Sequence, residues 1–254
     1  MLERPGQPGR FCFSMIIPLR DIDIRFVPEP WPVPRVLREQ VPATWARLLT
    51  ANPKLWDGRI LGVSGIGGGG PPRVEDGVLR GEAREDSFSA FMTWRDLGFP
   101  EIGVRNLFGS AVVISADGAV LLGEMGAWTA NAGQIYPPAG SLEPRDIVDG
   151  RVDVFGSVAQ ELNEETGLEV SEAVVGRTFA IFDGPRISVA YGLYFAESTA
   201  RLVERVRANL AAQEHRELAD VIAVRSRSEL EAAGKFPPYV GELIDAFAEG
   251  RFHT

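Results

Sequence analysis

Three glutamates, Glu161, Glu164 and Glu165, stand in the segment Gln160-Glu161-Leu162-Asn163-Glu164-Glu165-Thr166-Gly167-Leu168. On a helix, Glu161 and Glu165 lie one turn apart, and Glu164 neighbours Glu161 at i+3, so the three carboxylates share one edge. Uncompensated, each like-charge pair costs about 0.2–0.5 kcal/mol. A divalent cation turns that liability into a site. Mg²⁺ takes oxygen ligands in octahedral geometry and is shared between carboxylates, water and substrate phosphates. Such a metal polarises a phosphoryl oxygen and lowers the pKa of an attacking water. Spacing alone fits a solvated acidic helix face better, so the surrounding segments must decide.

Those segments are informative. Residues from about 154 to 166 have helical periodicity, with Val154, Val158, Leu162 and neighbouring Ala159 on one face. Gly167 sits where a terminating glycine belongs. Upstream, Ala111-Val112-Val113-Ile114-Ser115 and Ala119-Val120-Leu121-Leu122-Gly123 are apolar runs joined by Ala116-Asp117-Gly118, a strong hairpin signal. Pro137-Pro138-Ala139-Gly140 follows as a loop. Strands are expected near 174–182, 187–196 and 218–224, with helices near 200–212 and 238–248.

With this context the segment resembles the box of the Nudix superfamily, which reads Gly-x5-Glu-x7-Arg-Glu-apolar-x-Glu-Glu-x-Gly-apolar. Glu161, Leu162, Glu164, Glu165, Gly167 and Leu168 match its second half, and Gly140 takes the place of its first glycine. There are three departures. Asp146 stands where the first glutamate is expected, Gln160 replaces the arginine, and thirteen residues rather than seven separate the two. The six extra residues, within Ile147 to Asp153, read as a surface loop with an Asp-Gly turn. Gln160 can hydrogen-bond but supplies no charge.

The resemblance implies an α/β chain, a Nudix-type α/β/α sandwich with a mixed sheet, and a metal-dependent hydrolase using Mg²⁺, with Mn²⁺ as the alternative. Glu161 and Glu165 would hold the metal, with Glu164 and the backbone carbonyl of Ala139 as further ligands. Glu161 or Glu164 would be the general base. A second acidic cluster, Glu214-His215-Arg216-Glu217, precedes the late strand. Family members often place another glutamate in this region, and Glu217 is the candidate, ahead of Glu214. His215 reads as a surface residue.

Composition limits the partners. A net charge of −9 over 254 residues is a poor match for nucleic acid, but it does not exclude a small phosphorylated substrate. No apolar run reaches membrane-spanning length. The segment Phe11 to Ile17 is short for a signal core and has no cleavage site after it, and Met15 is an alternative start. The single cysteine, Cys12, cannot form an internal disulfide, which fits the cytoplasm. A homodimer is compatible with all of this.

Residues 1–103 read as a smaller α+β extension and 104–254 as the hydrolase domain. The extension is rich in aromatics, with Trp31, Trp45, Trp56, Phe88, Phe91 and Trp94, mostly as core and with one or two free to stack on a base. Gly65 to Gly70 matches a dinucleotide fingerprint only formally, because Pro71-Pro72 follow where a helix should begin. Arg186, after the turn Asp183-Gly184-Pro185, reads as a solvated arginine within reach of a phosphate. Asn52 to Gly58 and Trp94 to Gly98 faintly resemble the region preceding the domain in the UDP-glucose pyrophosphatase branch. The expected substrate is therefore a nucleoside diphosphate derivative, first a nucleoside diphosphate sugar. The alternative is a catalytically weak nucleotide-binding or regulatory homologue.

Overall fold

The computed structural model describes residues 15–253. The expectations about Cys12 and the segment before Met15 lie outside the described residues. In chain order the elements are β1 (Met15–Leu19), β2 (Asp21–Pro30), α1 (Arg35–Arg38), α2 (Val41–Ala51), β3 (Arg59–Ser64), β4 (Arg73–Glu75), β5 (Val78–Ser87) and α3 (Phe88–Asp96). Then come β6 (Asn106–Ile114), β7 (Val120–Met125), β8 (Ile135–Tyr136), β9 (Ile147–Val148), β10 (Arg151–Val152) and α4 (Val154–Thr166). The chain continues with β11 (Ala173–Asp183), β12 (Arg186–Phe195), α5 (Thr199–Ala212), β13 (Leu218–Val224), α6 (Arg227–Ala233) and α7 (Pro238–Ala248). No described helix is long and apolar enough to cross a membrane.

The main sheet runs β1-β11-β12-β6-β7-β13, with β8 beside β7. Strands β12 and β6 are parallel and the other pairs antiparallel, so the sheet is mixed. Neighbouring side chains of a strand point to opposite faces, and β6 uses this to seat a helix on each. A Cβ on Gly109 would stand 2.2 Å from Val158 Cγ2, so α4 lies directly over that glycine. Phe108 points the other way, and its ring meets Tyr239 of α7 edge-on at 5.4 Å. Helices on both faces make the α/β/α sandwich that the sequence predicts.

Helix α4 forms for local reasons. Val154, Val158 and Leu162, spaced at four, are all buried. The Asp153 side chain accepts from the Gly156 amide at 2.8 Å, capping the N-terminus. Gly167 ends the helix in the left-handed region, at φ 71°.

A second mixed sheet runs β3-β5-β2-β10-β9, with β4 beside β5. Its core holds Trp31 and Trp94, T-shaped at 6.0 Å. Two links through the chain tie it to the main sheet: β1, paired with β11 there, runs on into β2, and β10, paired with β2, runs on into α4. The second link corrects the sequence reading, which made residues 147–153 a surface loop. The Asp-Gly turn is present, with Asp149 at φ 50° and Gly150 at φ 75°, but its flanks are β9 and β10. This hairpin docks on β2 through Phe26 N–H to the Gly150 carbonyl at 2.9 Å and Arg151 to Asp23 at 2.7 Å. Strands of two residues are too short to show alternation. Strand β2 reaches Pro30 across a register break after Phe26, where prolines need donate nothing to the ladder.

The contact at Gly109 yields a test. Gly109→Ala forces a methyl into Val158 and is expected to destabilise the fold by about 1–3 kcal/mol in urea melts. Val158→Ala added to it should recover part of that loss, and a Gly109→Ala variant as stable as the parent would contradict the packing.

Candidate active site

The three glutamates do not share one solvent edge. Glu165 is 3% exposed, whereas the side chains of Glu161 and Glu164 are 12% and 52% exposed. Glu161 and Glu165 look inward to the loop that carries Ala139 and Gly140, and Glu164 looks to water. The row therefore runs from core to solvent.

The facing loop is clamped by backbone. The Ala111 amide donates to the Pro138 carbonyl at 2.9 Å, and Phe108 bridges to Ser141. From the other sheet, the Leu61 amide donates to the Leu142 carbonyl at 2.7 Å. Gly140 leaves room for the Glu161 carboxyl: a Cβ there would sit 2.1 Å from Glu161 Oε1 and 2.2 Å from its carboxyl carbon, so a side chain at 140 would push that carboxyl aside. Only a bare backbone lets the carboxylate lie so close.

Burial and mutual repulsion set the electrostatics. Burial first, then Glu164 and Glu217, push Glu161 up to about 8 against the pull of Arg145. Burial raises Glu165 well above the carboxylate range, with Glu161 adding to it and the Ala139 backbone opposing. Both Glu165 oxygens are buried without a hydrogen-bond partner of normal geometry. Glu217 reaches water through the cleft mouth, yet crowding by the walls and then Glu164 raise it too.

Arg145 is the cation that the sequence reading missed, because it stands among the spacer residues of the box. Its guanidinium lies 3.3 Å from Glu143, 3.5 Å from Glu161 and 3.9 Å from Glu164. Gln160 donates to Glu164 at 2.6 Å. Asp146 is not among the residues lining the cleft. It is buried and accepts from the Glu143 amide at 2.7 Å, closing the short turn on which Arg145 sits.

These groups border a cleft of about 690 Å³. Ala139, Gly140, Glu161 and Glu164 form one wall, and Glu214, His215 and Glu217 another. Of the aromatics flagged in the sequence, Trp31 and Trp94 are core, while Trp56 and Phe88 reach the cleft. Trp128, which sequence reasoning did not single out, joins them. The Trp56 and Trp128 rings fold back over Gly58 and Gly126, where a Cβ would stand 1.5 and 2.4 Å away. Among the described residues, no three His, Cys, Asp or Glu side chains already converge as a metal cage. A divalent cation placed here would draw on Glu161, Glu164, Glu165 and the Ala139 carbonyl, with water and phosphate completing its shell.

No family model and no curated protein matches the chain. Among solved structures, it is similar to a Nudix hydrolase from Nitrosomonas europaea, at 19% identity over 59% of this chain and 92% of that one, with a TM-score of 0.41. A Nudix hydrolase from M. smegmatis, RenU, shares 15% identity over 58% of this chain and 84% of its own, with a TM-score of 0.39. The Nudix domain of Shewanella oneidensis NrtR, solved with ADP ribose, gives 14% identity, 58% and 88% coverage and a TM-score of 0.40. At these identities and scores, the function of this chain rests on its own residues.

The raised carboxyls make stability depend on pH. Glu161 binds its proton more tightly folded than unfolded, so its contribution is full below about pH 4.5 and is lost as pH rises through about 8. Glu165 acts in the same direction. Without divalent metal, the melting temperature is expected to fall between about pH 5 and about pH 9, and less steeply in Glu161→Gln. Identical slopes in the two proteins would show that Glu161 is not buried as described.

Proposed function

We propose that the chain is a Nudix-type hydrolase that cleaves the phosphoanhydride bond of a nucleoside diphosphate derivative with the help of Mg²⁺, or Mn²⁺ in its place. The carrying observation is Glu165, whose two buried oxygens have no hydrogen-bond partner of normal geometry, next to Glu161 packed on Gly140. Buried polar atoms need partners, and a hard cation would satisfy carboxylate oxygens that the Ala139 backbone meets only in part. Bound there, the cation would polarise a phosphoryl oxygen and make a nearby water more acidic.

The protein's own share is positioning and proton transfer. Glu161 and Glu165 with the Ala139 carbonyl hold the inner side of the site. Glu164 reaches in from the solvent side, held by Gln160 and by Arg145. Glu161, Glu164 or Glu217 accepts the proton of the attacking water, and each is a carboxylate on the cleft wall. Trp56 and Trp128 offer flat apolar faces at the mouth for the nucleobase. A nucleoside diphosphate sugar is the first choice of substrate. Cleavage would release a nucleoside monophosphate and a phosphorylated partner.

One observation favours a second reading, a weak or purely binding homologue: Gln160 stands where the resembled box has arginine. Arg145 weighs against it, because its guanidinium already faces Glu161 and Glu164.

The decisive assay incubates the protein with Mg²⁺ and UDP-glucose, ADP-ribose, coenzyme A and NADH, and separates products by chromatography. Glu164→Gln and Glu165→Gln are expected to lower kcat/KM by about a hundredfold or more. Equal activity in the parent and both variants would remove the glutamates from the chemistry. Bound nucleotide with no turnover anywhere would select the binding homologue. Mg²⁺ should also raise the melting temperature, more at about pH 9 than at about pH 5, since its ligands bind deprotonated.

A further inference from the structure

A second cavity, of about 240 Å³, opens off the cleft and shares Tyr136, Ala139 and Gly140 with it. It lies on the α7 face of the main sheet, with Phe108 and Tyr239 in its wall. Two arginines line it. Arg95 comes from α3 in the extension and Arg186 from the start of β12 in the main sheet. Arg95 donates to neutral groups, Asn131 Oδ1 at 3.0 Å and the Ala130 carbonyl at 2.9 Å. Arg186 pairs with Asp183 at 2.6 Å, but its Nε is buried without a partner. Beside it in register, Asn106 Oδ1 is also buried and unpartnered.

The charged side chains lining the pocket are the two guanidiniums, with Asp183 paired to Arg186 and Asp96 offsetting part of the Arg95 charge. Two like charges facing each other in a low-dielectric aromatic pocket repel, and burial together with Arg186 depresses the Arg95 pKa. Structural needs alone do not account for this. The neutral contacts of Arg95 could be made by an uncharged donor, and Arg186 Nε would not need to be left unpaired. An oxyanion resolves both features, because guanidinium forks bind phosphate and carboxylate through several charge-assisted hydrogen bonds.

We infer that this pocket receives a second oxyanion of the substrate, a phosphomonoester or carboxylate on the part of the molecule beyond the scissile diphosphate, and that Arg95 and Arg186 hold it. The inference rests on the hydrolase reading for where the diphosphate lies, and it narrows the substrate class. Asn106 would accept from a hydroxyl next to that oxyanion. The extension then sets specificity directly, since Arg95 belongs to it.

Two measurements test this. The first compares kcat/KM within pairs that differ by one oxyanion: coenzyme A with dephospho-coenzyme A, NADPH with NADH, and UDP-glucuronate with UDP-glucose. In at least one pair the more anionic member should be preferred by about tenfold or more, and Arg95→Gln or Arg186→Gln should bring that ratio close to one. The second measures calorimetric binding of phenyl phosphate, benzoate and phenol, which needs no turnover. Phenyl phosphate or benzoate should bind at least about tenfold tighter than phenol, the tighter of the two naming the oxyanion, and both Gln variants should lose that margin while keeping the parent's circular dichroism. Arg186→Lys, which keeps charge without the fork, covers the case in which Arg186→Gln does not fold. Binding of phenyl phosphate or benzoate without any hydrolysis would uphold the pocket and sink the hydrolase reading. Hydrolysis without pair preference, and with phenol bound as well as the anions, would overturn the pocket alone. So would a preference that survives in both variants.

Discussion

A carboxylate taken out of water with no hydrogen bond to receive it is among the costliest groups a protein can bury. Glu165 is such a group, on a helix that the main sheet holds rigidly. Much of the surrounding structure can be read as a response to it. The helix is capped at both ends, so the glutamates cannot relax by fraying. Gly140 brings a second carboxylate against bare backbone rather than moving it to solvent. Arg145 offsets only the outer part of the charge, at 3.5 Å from Glu161 and 3.9 Å from Glu164. The inner end is left uncompensated, which stores an affinity for protons or for a cation.

This arrangement needs a stiff loop opposite the helix, and the second sheet supplies the stiffness. The loop from Pro138 to Leu142 is bonded to β6 on one side and to β3 on the other. The hairpin of β9 and β10 ties the residues between loop and helix to β2. The residues from Ile147 to Asp153 are thus an anchor. They lock the turn of Asp146 and Arg145 to a sheet that also delivers Trp56, Phe88 and Arg95 to the cavities.

Much of this was legible in the sequence, and the limit is physical. Helix α4 could be read almost to the residue, because Val154, Val158 and Leu162 mark a buried face and Gly167 its end. The paired strands β6 and β7 followed from the Asp-Gly turn between apolar runs. Glu217 could be proposed from its place before a strand, and the fold brings it to the cleft. Arg145 and Trp128 could not be found this way. Each acts through a contact that only the tertiary structure creates, and neither type is unusual in a loop. Arg186 was visible as a residue after a turn, but its partner in the pocket, Arg95, comes from α3, far away in sequence. The unequal exposure of Glu161, Glu164 and Glu165 was also hidden, since helical spacing states who shares a face and not what covers it.

Gln160, which stands where the resembled box has arginine, illustrates why position in space matters more than position in a motif. A guanidinium one residue before Glu161 and one seated on the turn at Arg145 can present the same charge to the same carboxylates. They differ in what else they constrain. A helical arginine depends on its own helix alone, whereas Arg145 is held by a turn whose carboxylate, Asp146, is buried and bonded to the Glu143 amide. That turn is fixed in turn by the hairpin on β2. In this chain, the charge facing the glutamates is therefore coupled to the second sheet, so a perturbation in β2 or β10 reaches the site through Arg145 even though no residue of those strands touches the glutamates in the contacts described.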